Sequence, residues 1–303
     1  MYGRRQRLPR RDRLGGDVHT MFRSALVHTA LGTEEARLVL GLAEGLRALG
    51  VGRVVLANVI DASGLEGPVI AEKVDAVLEG LREACAPLEA AGMKVECRVP
   101  TGSDASSELL ALAAEAHVDM VVSGSHRKSQ MDRLFAGSVS EMLAAHSPVP
   151  SLVARFDLIG GSERPAELLR AFPRALVMPT DFSDAAERAV TTVLSLPPES
   201  VGEILFLHVT DPSLSGDALR RQTDGASFQL ENLVARARGR GLGASWAVEP
   251  GGIIETVLAE VEARSAAGVV VGRRAHAVLQ ETLLGSLLLT LLREAPVPVL
   301  VVP

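Results

Sequence analysis

The sequence predicts an α/β protein made of two repeated domains, each a doubly wound, five-stranded parallel sheet covered by helices. Three short motifs recur 148 residues apart: residues 121–124 (VVSG) return as 269–272 (VVVG), 137–138 (GS) as 285–286, and 148–150 (PVP) as 296–298. A repeat of this length indicates two copies of a whole domain rather than a solenoid of short repeats. In each copy, aliphatic strand patterns alternate with helical patterns, which is typical of βαβ units in a parallel sheet.

The composition fits buried parallel sheets. Hydrophobic residues make up 47% of the 303 positions and aromatic residues only 3%, so Ala, Val and Leu must fill the core. Strands of parallel sheets are buried on both faces and form nearly continuous aliphatic runs. The net charge of −6 argues against nucleic acid as a partner of the folded domains.

Other features bear on the class of protein. The two cysteines, Cys85 and Cys97, are too few for a disulfide framework or a metal site, so we expect two reduced thiols, with Cys97 in the core. No apolar run approaches the roughly 20 residues that span a bilayer. These features predict a cytoplasmic protein without a membrane span.

The elements follow the same order in both copies. The first copy has predicted strands at residues 24–28, 53–59, 93–99, 119–123 and 149–154, and helices at 34–49, 71–91, 105–117 and 137–146. The second copy has predicted strands at 175–178, 203–209, 243–248, 269–271 and 297–302, and helices from 184, at 217–240 and 253–266, and from 286.

These elements divide the chain into two domains, at residues 21–155 and 172–303. The linker at 156–171 contains Gly160, Gly161, Ser162 and Pro165, and a short helix is predicted at 167–171. Residues 1–20 carry six arginines and few apolar side chains, which favours a disordered leader, with an electrostatic arm for an acidic surface as the alternative.

The carboxyl ends of the strands are where a doubly wound sheet binds ligands, at the point where strand order reverses. The first copy places there Thr29, Val59, Gly124 and the helix start Gly137-Ser138. The second copy places there Pro179, Asp181, Val209, Gly272 and Gly285-Ser286. A Gly-Ser pair that opens a helix offers free amides and a hydroxyl to an anion. It is equally an ordinary helix cap.

The full pattern resembles the universal stress protein family. The first copy has Gly124, a loop, Gly137-Ser138-Val139-Ser140 and then Pro148-Val149-Pro150; the second has Asp181-Phe182-Ser183 and His208-Val209 after its first two strands. The resemblance covers about residues 22–155 and 172–303. It implies Rossmann-like sheets of strand order 3-2-1-4-5, paired through the last strand. It also implies binding of ATP or a related adenine nucleotide, with no metal other than Mg²⁺ carried by the nucleotide.

Both copies depart from the pattern of the ATP-binding members, Gly-x-x-Gly, nine residues, then Gly-Ser/Thr. The second glycine is replaced by Arg127 in the first copy and by Ala275 in the second. The Asp expected after the first strand is Ala30 in the first copy, while the second copy retains Asp181. Leu288 stands where the first copy has Ser140. Each copy therefore keeps what the other lacks, and the sites are predicted to be degenerate.

The resemblance assigns the better phosphate site to the first copy, through Gly124, Gly137, Ser138, Val139 and Ser140. It assigns the better base and ribose site to the second, through Asp181 and Val209.

Several of these residues have a second interpretation. Arg127 either obstructs the loop or pairs with phosphate, and with its neighbours His126 and Lys128 it also fits a solvated loop. Asp181 equally fits a cap for the following helix. Arg273 and Arg274 are predicted to be surface charges, and His208 a packed histidine.

Three functional hypotheses follow. The first is a stress-response protein that acts by binding an adenine nucleotide rather than by catalysis. The second is a nucleotide-independent scaffold whose clefts are relics. An enzyme of phosphate transfer or hydrolysis is the least favoured, because neither cleft offers an evident base. We expect the two domains to pair within the chain through residues 151–154 and 299–302, which would otherwise be bare aliphatic edges; a homodimer stays open.

Overall fold

A computed structural model describes residues 22–30, 33–125, 139–273 and 284–303, with the backbone alone at 284–287. The predictions for residues 1–20 therefore lie outside the described residues.

The first copy follows the predicted order of strands and helices. Its elements are β1 Ser24–His28, α1 Glu34–Ala43, β2 Arg53–Ala57, β3 Ile60–Asp61, α2 Gly67–Ala90, β4 Lys94–Arg98, β5 Thr101–Gly102, α3 Ala105–Glu115, β6 Met120–Ser125, α4 Val139–His146 and β7 Ser151–Arg155.

Two short helices join the copies, and the second copy repeats the order of the first. These elements are α5 Phe156–Gly160, α6 Pro165–Ala171, β8 Ala175–Pro179, α7 Asp184–Leu194, β9 Glu203–Thr210, α8 Gly216–Gly239, β10 Gly243–Pro250, α9 Ile253–Ala263, β11 Gly268–Gly272, α10 Leu284–Glu294 and β12 Val299–Val302.

The two copies form one ten-stranded sheet of order β10-β9-β8-β11-β12-β7-β6-β1-β2-β4. When the five strands that each half contributes to this sheet are numbered in chain order, they lie in the order 3-2-1-4-5, as the resemblance implied. The paired strands within each half run parallel, whereas β7 and β12 run antiparallel, with Leu152 opposite Leu300. The predicted pairing of the domains within the chain is therefore confirmed. It covers two strands that are buried along their whole length.

Side chains on successive strand residues point to opposite faces of the sheet and belong to different core clusters. Val27 belongs to a large cluster that also contains residues of α1, α2, α7, α8 and the linker helices. Leu26 belongs to a smaller cluster with α3 and α4, and a third cluster involves α9 and α10. The alternation places the linker helices on one face of the sheet, beside α1.

Local differences from the prediction have identifiable causes. The helix predicted at 34–49 changes to a tighter 3₁₀ helix over Glu44–Leu49. Glycine weakens an α-helix, and Gly45 lies directly against the Ala166 carbonyl oxygen on α6. The strand predicted at 53–59 ends at Ala57, after which β3 pairs with β5 in a separate two-stranded sheet. Helix α5 is absent from the prediction, because the sequence Gly160-Gly161-Ser162 at its end is typical of a linker.

Candidate functional site

The strand order reverses between β1 and β6 in the first copy and between β8 and β11 in the second. We call the carboxyl ends of these strand pairs the first and second crevices. Strand register and the repeat make Thr29 equivalent to Thr180, and Ser125 equivalent to Arg273. The two crevices can therefore be compared residue by residue.

Two buried hydroxyl groups of the first crevice have no hydrogen-bond partner among the described residues. Thr29 is 2% exposed and Ser125 is 6% exposed, and each follows or ends a strand at the point of reversal. The Thr29 amide donates to the Ala57 carbonyl at 2.9 Å, as a strand residue would. In contrast, the Thr29 Oγ1 and Ser125 Oγ atoms have no hydrogen-bond partner within residues 22–30, 33–125, 139–273 and 284–303.

An unsatisfied buried polar atom costs about 1–3 kcal/mol. A hydroxyl can both donate and accept a hydrogen bond, so these two groups suit a ligand that presents oxygen or nitrogen atoms at this end of the sheet. Both hydroxyls of the first crevice are therefore left unsatisfied by the part of the chain that the structure describes.

His28, the last residue of β1, precedes Thr29. Burial lowers the pKa of His28 from 6.5 to about 4. The imidazole is therefore neutral at pH 7, and it adds no charge beside the unpartnered hydroxyls.

In the second crevice the equivalent threonine is satisfied by its own chain. The Thr180 Oγ1 atom accepts a hydrogen bond from the Phe182 amide at 3.0 Å. The Thr180 carbonyl oxygen accepts one from Nδ1 of His208 at 2.9 Å. The Phe182 ring stacks on His208 with a centroid distance of 4.9 Å. The interpretation of His208 as a packed histidine is confirmed.

The prediction that Arg273 is a surface charge is wrong. Its side chain is half-buried, and its two terminal nitrogens donate to the carbonyl oxygens of Ala144, at 3.1 Å, and Ser147, at 2.9 Å. Both acceptors lie at the C-terminal end of α4, where helical carbonyls lack intrahelical partners. Burial lowers the pKa of Arg273. Arg273 therefore joins the two copies. Arg274 lies outside the described residues.

Packing explains both Gly124, the last residue but one of β6, and Gly272, the last residue of β11. A Cβ on Gly124 would collide with the Phe156 ring, and a Cβ on Gly272 would collide with the Ala185 carbonyl oxygen. These glycines therefore allow the first turns of α5 and α7 to approach the sheet. A role in ligand binding stays a prediction for both.

The other predicted site residues lie at varied depths. Val59 is half-buried against the α3 and α4 cluster, together with Val139. Ser140 is buried in the first turn of α4. Val209 and Leu288 pack against the cluster of α9 and α10.

In the second copy, Pro179 is half-buried at the end of β8 and Asp181 is exposed. The Asp181 carboxylate accepts from the Ser183 amide at 3.0 Å. Ser183, not Asp181, caps α7, because its hydroxyl accepts from Ala186. Asp181 stabilises the turn before that cap.

The loops between the strand ends and the last helices hold the remaining predictions. Arg127, Gly137, Ser138 and Ala275, together with the neighbours His126 and Lys128, lie outside the described residues. Gly285 and Ser286 lie in the first turn of α10, of which only the backbone is described at these positions. Helix α10 therefore begins at Leu284, before the predicted start at Ser286.

Ser125 is the residue that the sequence analysis missed. It follows the glycine that ends the aliphatic run of β6, and a polar residue at that position was the available signal.

Among the described residues, no three His, Cys, Asp or Glu side chains converge as metal ligands would. None of the described helices is both long and apolar enough to cross a bilayer.

Comparisons with known proteins agree on the family. The model of the universal stress protein family matches residues 21–155 and again 173–303. A Staphylococcus aureus (strain USA300) relative, whose name assigns it to the universal stress proteins, is 28% identical over 144 residues, covering 44% of this chain and 85% of its own.

Two solved structures match nearly the whole chain. A universal stress protein from Archaeoglobus fulgidus covers 92% of this chain and 95% of its own, with 23% identity and a TM-score of 0.70. One from Pseudomonas aeruginosa covers 93% of both chains, with 13% identity and a TM-score of 0.63. A universal stress protein in complex with cAMP matches 44% of this chain and 97% of its own, at 22% identity and a TM-score of 0.35. The chain belongs to the universal stress protein family, with one family domain in each half.

Proposed function

We propose that this protein acts by binding one adenine nucleotide, ATP or a close relative, in the first crevice, and that it regulates rather than catalyses. Mg²⁺ would arrive with the nucleotide. The family pattern in the sequence supports the ligand class, and the contacts of the two crevices support the choice between them. A cytoplasmic location and a role in the stress response are parts of the same proposal.

The observation that carries the proposal is the pair of hydroxyls, at Thr29 and Ser125, that find no partner in the described part of the chain. Both are more than nine-tenths buried, at adjacent strand ends in the place where doubly wound sheets bind ligands. Nucleotides present hydroxyl and phosphate oxygens that such groups can bind. A bound nucleotide would thus satisfy polar atoms that the protein leaves unsatisfied.

The second crevice supports the choice by contrast. Thr180 is satisfied by the Phe182 amide, and Arg273 is engaged with α4 of the first copy. A nucleotide there would gain no unsatisfied hydroxyl at Thr180 and could recruit Arg273 only by breaking the contact between copies. The retained Asp181 makes this crevice the competing site.

A second candidate function is a nucleotide-independent scaffold. The contacts of Gly124 with Phe156 and of Gly272 with Ala185 favour it, because they explain both strand-end glycines without a ligand. In that case the two hydroxyls of the first crevice would be relics.

Isothermal titration of the full-length protein with Mg-ATP, ADP and AMP separates these functions. We expect one site per chain. Removing a neutral hydrogen bond costs about 0.5–1.5 kcal/mol, so Ser125→Ala should weaken binding roughly threefold to tenfold. Asp181→Asn in the second crevice is the matched control and should leave the affinity unchanged.

Each other outcome has a definite meaning. Weaker binding in Asp181→Asn with normal binding in Ser125→Ala would move the site to the second crevice. Absence of heat at millimolar nucleotide, repeated by equilibrium dialysis, would favour the scaffold. Turnover of ATP during the titration would contradict action by binding alone.

A further inference from the structure

Cys85 and Cys97 lie in contact, although the sequence predicted them only as two separate thiols. Cys85 is on α2 and Cys97 on β4, and their Sγ atoms are 2.8 Å apart. A disulfide bond measures about 2.05 Å, so the two sulfur atoms are about 0.8 Å from bonding distance. Both are free thiols in the structure.

The second copy shows that the fold does not need a thiol at either position. Helix register makes Val234 on α8 equivalent to Cys85, and sheet register makes Trp246 on β10 equivalent to Cys97. Val234 is buried to the same degree as Cys85, at 6% and 4% exposure. The same architecture therefore accepts apolar side chains where the first copy has two sulfur atoms in contact.

The two thiols differ in access. Cys85 is buried, and burial together with the neighbouring Cys97 raises the pKa of its thiol to about 12. Cys97 is half-buried on β4, which is one of the two edge strands of the sheet. Because the thiolate is the reactive form, an oxidant should meet Cys97 first, and Cys85 should act as the resolving thiol.

We propose that Cys85 and Cys97 are a redox modification site that closes reversibly to an intrachain disulfide under peroxide. The Cys97 thiolate attacks one peroxide oxygen, so that an S–O bond forms, the O–O bond breaks and the departing hydroxide takes up a proton as water. Cys85 sulfur then attacks the sulfenic sulfur, the S–S bond forms, and the S–O bond breaks. The Cys85 proton leaves with the hydroxyl group as a second water.

In total, two thiols and one hydrogen peroxide give one disulfide and two waters, with two electrons passing from sulfur to oxygen. The product ties α2 to the outermost strand of the first copy. This inference does not depend on the proposed nucleotide, since it rests on α2 and β4 alone.

Peptide mapping tests the inference directly, because these are the only two cysteines in the chain. Trypsin cleaves after Arg82, Lys94 and Arg98, which separates the two cysteines into peptides 83–94 and 95–98. After one equivalent of hydrogen peroxide, we expect these peptides to be linked within a monomeric chain that has lost two hydrogen atoms. Free thiols, counted in denaturant, should fall from two to zero, and dithiothreitol should restore both.

Variants assign the two roles. Cys85→Val copies the side chain of the second copy and should stop at a Cys97 sulfenic acid, which dimedone captures. Cys97→Ala should leave Cys85 reduced. Two unreacted thiols in the wild-type protein at tenfold excess peroxide would overturn the proposal, and so would a disulfide found only between chains. Wild-type mapping alone decides this, even if a variant unfolds. Oxidation of Cys85 in Cys97→Ala at the wild-type rate would overturn the assigned order.

Discussion

Glu141 on α4 of the first copy and Arg293 on α10 of the second form an ion pair, with Oε1 and Nε 2.8 Å apart. The Glu141 side chain is only 8% exposed. Arg155 lies at the same contact between the two copies, because it donates to the Arg293 carbonyl oxygen at 3.1 Å. It also pairs with Asp157. The two copies are thus joined by buried polar contacts as well as by the β7–β12 strand pair.

Arg273 should be the most informative residue to replace at the contact between the two copies. Arg273→Ala deletes two charge-assisted hydrogen bonds to the end of α4, and we expect a loss of about 2–3 kcal/mol in the free energy of unfolding. The control is Arg264→Ala, at the residue that follows α9, which removes an i,i+4 pair with Glu260 and should cost less than about 0.5 kcal/mol. Urea unfolding measures both. Equal losses would mean that Arg273 contributes no more than a surface charge.

The two strand-end glycines should differ in their tolerance of a methyl group. Overpacking costs about 1–3 kcal/mol. Gly272→Ala meets the Ala185 backbone, which cannot turn away, whereas Gly124→Ala meets the Phe156 ring, which can shift. We therefore expect the larger drop in melting temperature for Gly272→Ala. A larger drop for Gly124→Ala would show that Phe156 is the more rigid of the two contacts.

His28 should make stability depend on pH in a defined window. Its folded pKa is about 4, against 6.5 for the free group, so the unfolded chain binds more protons below pH 6.5. The contribution of His28 to the free energy of unfolding is therefore fully present above pH 6.5, and it falls as the pH decreases toward 4. For one such group, the free energy of unfolding decreases by about 1.5 kcal/mol between pH 6.5 and pH 5.

The variant His28→Leu isolates that contribution. Urea unfolding at both pH values should show the loss in the wild-type protein and a loss smaller by this amount in the variant. The control is His146→Leu, since that side chain is exposed on α4. An identical pH dependence in wild-type and His28→Leu proteins would contradict the burial argument.

Much of the architecture could be predicted because it depends on local patterns. The motif repeat and the aliphatic runs predicted the order of the main strands and helices in both halves. The bare edges at residues 151–154 and 299–302 predicted the pairing of the copies. Strands β3 and β5 could not be predicted, because a strand of two residues shows no hydrophobic periodicity. The change of helix type at Glu44 depends on contact with α6, which lies more than a hundred residues further along the chain.

The candidate site was harder to predict because its state depends on partners distant in sequence. Arg273 was predicted to be a surface charge, since nothing near it in sequence reveals that α4 supplies its acceptors. Thr29 and Thr180 occupy equivalent positions, yet within the described ranges only the Thr180 hydroxyl meets a donor, the Phe182 amide. The local sequence shows where a hydroxyl lies, but not whether it is satisfied.

Thr29→Val tests the central claim most directly, because it replaces the hydroxyl by a methyl group of the same shape and allows two measurements on one variant. Removing an unsatisfied buried hydroxyl should raise the free energy of unfolding of the nucleotide-free protein by about 1 kcal/mol. The same change should weaken Mg-ATP binding roughly threefold to tenfold in titration calorimetry. Higher stability together with unchanged affinity would contradict nucleotide binding at Thr29, and would leave the first crevice without its proposed ligand.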